Sequence, residues 1–69
     1  MMTDRALVVW FSTAPRIGTL SVRVEQWNRM LDLAGHIDTP RRTGTWAAVS
    51  ADHVERVWKA AATRMGLAQ

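Results

Sequence analysis

Residues 35–58, GHIDTPRRTGTWAAVSADHVERVW, fix the reading of the whole chain. Gly35 closes an upstream helical pattern, because glycine takes the left-handed conformation that ends helices. An extended arm follows and carries Pro40, which suits an edge or turn because it has no N–H for a central ladder. Arg41 and Arg42 lead into the flexible turn Thr43-Gly44-Thr45. A second extended arm runs to Val49, and Ser50 opens a capped helix. The spacing predicts a β-hairpin wing at about 36–49, held between two helices and tipped with arginine. Such a tip is built to meet phosphate.

Both flanking helices read clearly. Val54, Val57, Trp58, Ala61 and Met65 form one apolar stripe of a C-terminal amphipathic helix at about 51–65. Asp52 lies in its first turn, where the helix dipole favours an anion. Asp52–Arg56 and Glu55–Lys59 are i,i+4 pairs with the acid first. Gly66 ends the pattern. Upstream, Val24, Trp27, Leu31 and Ala34 recur at helical spacing, with Met30 beside them, which predicts a helix at about 23–34. Glu25 and Arg29 pair on its outer side. Ser21 is an alternative N-cap that would start this helix earlier.

The N-terminal third is more ambiguous. Leu20 to Val24 alternates apolar and polar, a strand signal. Residues 6–12, ALVVWFS, read as a strand, because Val-Val-Trp-Phe suits a pleated surface. The alternative is a short helix capped by Thr3 or Asp4. Pro15 and Gly18 mark the following segment as a loop. The expected fold class is α+β, one small domain over 1–69, with N-terminal strands or a short helix ahead of the helix–wing–helix unit.

Composition limits what the chain can do. It has 69 residues, no cysteine and two histidines, so disulfides and thiolate metal sites are excluded and a closed zinc site cannot be built from His36 and His53 alone. So small a domain gains from a partner, and the expectation is a homodimer or cooperative oligomer, with Leu7–Phe11 as one candidate contact. Nine basic and six acidic groups give a net charge of +3. Every basic residue except Lys59 is arginine, whose planar fork matches phosphate and guanine. A GC-rich source would enrich arginine equally. The longest apolar run, Ala6 to Phe11, is too short to span a bilayer. No membrane association and a cytoplasmic location are expected.

Catalytic constellations are absent from the sequence, and no enzyme activity, cofactor or metal is expected. Asp32 and His36 stand i,i+4, but Gly35 ends the helix between them. The nucleic-acid-binding candidates are Arg41, Arg42, Thr43 and Thr45 in the wing, Gln26 and Arg29 on the outer face of the preceding helix, and Arg23 and Arg16 for further backbone contacts. Glu25 and Asp32 share that outer face and oppose phosphate. Trp27 and Trp58 fall on core stripes. Trp46 lies beside the basic turn, and Trp10 is expected to be buried or at a dimer contact.

The segment resembles the small winged-helix DNA-binding regulators of the AlpA and phage-excisionase type, in the wider MerR-like group. The similarity rests on Gly35, Ile37, Pro40, Arg42, Gly44, Val54, Glu55 and Trp58, and on Glu25-Gln26-Trp27-Asn28. It covers about a third of the chain. It implies a DNA-binding regulator or recombination-directionality factor of a phage or mobile element. The family opens with a helix-turn-helix, whereas residues 6–24 read as extended. The alternative function is a phage-type inhibitor or adaptor that binds a host protein without catalysis. Two helices in residues 1–24 favour the first function, and a hairpin there favours the second.

Overall fold

The computed structural model describes residues 2–67. Their order is α1 (Asp4–Ser12), β1 (Thr19–Arg23), α2 (Val24–Leu33), β2 (Trp46–Ser50) and α3 (Ala51–Arg64). The α+β class is as expected. Three helices pack with one two-stranded antiparallel sheet.

Residues 6–12 are helical, which corrects the strand expectation. Thr3 caps α1 by accepting from the Ala6 N–H at 3.1 Å, and Asp4 occupies the first turn. Leu7, Val8 and Phe11 turn inward, while Val9 and Trp10 face solvent. Burial at i, i+1 and i+4 is a helical stripe, and it overrides the β preference of the individual residues. Residues 2–24 therefore hold one helix and one strand, an outcome between the two alternatives. β1 separates α1 from α2, so these two helices do not form a helix-turn-helix.

The hairpin expected at 36–49 also requires correction. Residues 34–45 contain no strand, and the returning arm pairs instead with β1, across α2. The register sets Thr19 opposite Ser50 and Arg23 opposite Trp46. Ala51 N–H to Gly18 C=O (2.8 Å) and Val24 N–H to Thr45 C=O (2.9 Å) close the ladder at its two ends. β1 wins because Leu20 and Val22 offer an apolar face to match Ala47 and Val49, whereas Pro40 and the polar residues around it do not. Ile37 to Thr45 instead forms a loop held by local turns and by side chains of α2.

α3 packs against both other helices. Trp27, Met30, Leu31, Val54 and Val57 are the largest fully buried side chains. Trp27 occupies the centre, with its ring 6.1 Å from Phe11 and 5.4 Å, edge-on, from His53. The start of α3 and the end of α2 follow the caps read from sequence, whereas α2 begins after Arg23 without a side-chain cap and Ser21 lies in β1. Ser50 accepts from the His53 N–H at 3.1 Å. Gly35, at φ +75°, closes α2 in a Schellman turn, with His36 N–H donating to Leu31 C=O at 3.0 Å. Among the described residues no helix is long and apolar enough to cross a membrane.

Candidate nucleic-acid interface

The two wing arginines have opposite fates. Arg41 folds back onto the protein. Its Nη2 donates to the Asp32 carboxylate, and its Nη1 donates to the carbonyls of His36 (3.2 Å) and Thr39 (2.9 Å). It ties the loop to the end of α2 and is not free to take phosphate. Arg42 is held by its backbone instead. The Asn28 side-chain amide accepts from the Arg42 N–H at 2.9 Å and donates to the Arg42 carbonyl at 3.0 Å. The Arg42 guanidinium is exposed and has no hydrogen bond or ion pair among the described residues. Thr43 and Thr45 are exposed beside it, and Thr45 contributes its carbonyl to the sheet.

The other candidates are dispersed. Arg29 makes a two-point contact with Asp4 (3.0 and 2.6 Å), which joins α2 to the start of α1. This contact holds the Asp4 carboxyl below the usual range and raises Arg29. Arg29 therefore does not reach outward for bases. Arg16 pairs with Glu55 of α3, which also attracts Lys59 at 3.7 Å. Arg23 lies over the Trp46 ring, 5.4 Å from its centroid, and Gln26 lines the groove beside them. The outer face of α2 presents Glu25 and Asp32 alongside the Arg29–Asp4 pair, a poor surface for reading DNA.

Two cations, Arg42 of the loop and Arg56 of α3, both act electrostatically on His53. Burial against the core is the first cause of its lowered pKa. The guanidinium groups of Arg56 and Arg42 depress it further, and Asp52 opposes them. Arg56 keeps an exposed i,i+4 pair with Asp52 at 3.2 Å, a weak tie in water. His53 and Arg56 were not among the residues expected from sequence. Their i,i+3 spacing on α3 was visible, but the arrival of Arg42 beside them depends on the Asn28 clamp. Among the described residues no group of three His, Asp or Glu side chains is placed to hold a metal ion.

The His53 environment has a consequence for stability. Its folded pKa lies below the unfolded value of about 6.5, so folding favours the neutral ring. At pH values well above 6.5 neither state binds the proton and the full stability is present. As pH falls through about 6.5 the unfolded chain takes up the proton first, and stability is lost down to the folded pKa. Thermal midpoints should therefore decline as pH falls through about 6.5. His53→Gln should flatten that decline, and an undiminished decline in the variant would assign it to another group.

Comparison of the chain with family models, curated proteins and solved structures gives no significant match.

Proposed function

We propose that this chain is a small nucleic-acid-binding protein that grips backbone phosphate with the Arg42 loop and the first turns of α3. In cellular terms it would serve as a transcription regulator or recombination-directionality factor of a phage or mobile element. The observation that carries this proposal is Arg42, whose guanidinium is exposed and makes no hydrogen bond or ion pair among the described residues while Asn28 holds its backbone in place. Arg42 and Arg56 together raise the potential at His53, and a positive local potential attracts an anion. Asn28 presets the Arg42 backbone, so less conformational freedom is lost when the guanidinium meets a phosphate. Arg42 then offers two parallel N–H donors to phosphate oxygens. A protonated His53 would add a third positive partner, so binding should strengthen as pH falls.

The acidic outer face of α2 argues for contacts to the backbone over reading of base edges. Affinity should accordingly depend steeply on salt and weakly on sequence. The test is fluorescence anisotropy with a labelled duplex of about 20 base pairs, titrated from about 50 to 200 mM salt. Arg42→Ala with Arg56→Ala should weaken binding about tenfold or more and reduce the slope of log K against log salt by about 2. Absence of binding by the wild-type protein at low salt, or a variant with unchanged affinity and slope, would rule the proposal out.

A further inference from the structure

We infer that the open edge of β1 is the surface through which two copies of this chain pair, forming a continuous four-stranded sheet across a two-fold axis. The first observation is the direction of the backbone groups. Gly18 and Val24 bond to Ala51 and Thr45 on the β2 side. Bonded pairs alternate along an antiparallel ladder, so Leu20 and Val22 also turn their N–H and C=O groups toward β2. Thr19, Ser21 and Arg23 therefore aim theirs away, at the opposite edge. Among the described residues nothing bonds to them there.

The second observation is the room beside that edge. Two adjoining grooves, of about 290 and 330 Å³, run between α1 and β1. Both are lined by Trp10, Phe11, Ser21 and Val22. Val22 belongs to the buried face of β1 and Ser21 to its exposed face, so the strand edge itself forms the floor. The usual protections against pairing are missing. β1 has no proline, no lysine and no inward-pointing charge.

A second copy suits this edge better than a charged partner strand does. Antiparallel pairing centred on Ser21 sets Ser21 against its own symmetry mate and Thr19 against Arg23 on both sides. No like charges face each other, and Arg23 is the only charged residue lining either groove. The two-fold closes on itself, so the product is a dimer and not a fibre. Trp10 and Trp46 are 61% and 58% exposed, and Met2 in the same groove is also open. The open indole surface is on the order of 200–300 Å², about a third of the roughly 800 Å² per partner in a standard interface. The strand edge and Met2 extend the contact toward that size. Pairing would also relieve a two-stranded sheet of its marginal stability.

Sedimentation velocity from about 1 to 500 µM tests this inference, with expected self-association in the micromolar range or tighter. Ser21→Pro removes the axial N–H without touching a bond to β2, and loss of both axial bonds should weaken the dimer about 10–100-fold. Trp10→Lys, on the solvent side of α1, guards against a proline variant that fails to fold. It should give a monomer with an unchanged far-ultraviolet circular dichroism spectrum. A wild-type protein that stays monomeric throughout, or a dimer indifferent to Trp10→Lys, overturns the inference. Neither outcome bears on phosphate binding by Arg42, which lies outside these grooves.

Discussion

Trp27→Ala is expected to leave most of the chain unfolded at 25 °C. Trp27 is 1% exposed and touches Phe11 of α1 and His53 of α3, so its ring joins three helices. Truncating a buried tryptophan costs about 3–5 kcal/mol through lost burial and the cavity left behind. A domain of this size has a total stability of roughly 3–10 kcal/mol. A single core of under about 70 residues without a disulfide or metal sits at the lower end of that range, about 3–5 kcal/mol, so the loss matches it. Trp27→Phe keeps part of the aromatic contact and should fall between the two. Urea titration followed by circular dichroism would measure all three. A Trp27→Ala variant with a cooperative transition near the wild-type midpoint would show that the core repacks around the gap.

Gly35→Ala is expected to cost about 1–2 kcal/mol, because the left-handed conformation at φ +75° is unfavourable for any residue with a Cβ. An added Cβ would also lie 2.9 Å from the Arg64 guanidinium. That group is the far end of a flexible side chain and can swing away. The backbone should therefore dominate the cost, and the double variant with Arg64→Ala should recover only a minor part of it. For a domain of this length each kcal/mol corresponds to a shift of about 4–8 °C in the thermal midpoint. An unchanged midpoint would mean that the α2 terminus relaxes into another turn.

The elements most legible in the sequence were those whose signals are local. α2 and α3 could be read because stripe and terminal glycine agree within each segment, and α3 adds the Ser50 cap. α1 could not, because six consecutive apolar residues contain no polar positions to reveal a period. The partner of β2 was hidden for a different reason. Residues 20–24 alternate apolar and polar and residues 46–49 are all apolar, but neither pattern says which strand another will choose.

The same distinction governs the candidate site. Arg41 and Arg42 look equivalent in sequence, and only the positions of Asp32 and Asn28 on α2 separate an inward tie from an outward contact. In sequence Arg16 reads as a free cation and Arg29 as the i,i+4 partner of Glu25, because the acids that they meet in the fold, Glu55 and Asp4, lie far along the chain. Arg42 and Arg56 act together on His53 only once the loop crosses from the end of α2 back to its first turn.

The pairing of Arg23 with Trp46 means that the chain leaves the sheet and re-enters it at a single place. All of α2 and the loop after it form one closed excursion from that point. Before the strands can align, the backbone must bring the ends of this excursion together, an entropic cost that no local contact offsets at the outset. Formation of α2, with the Asn28–Arg42 clamp drawing the loop back along it, shortens the distance to be closed. The topology therefore predicts that α2 and the clamp form before the sheet, an order that φ-values at Asn28 and Val22 would check.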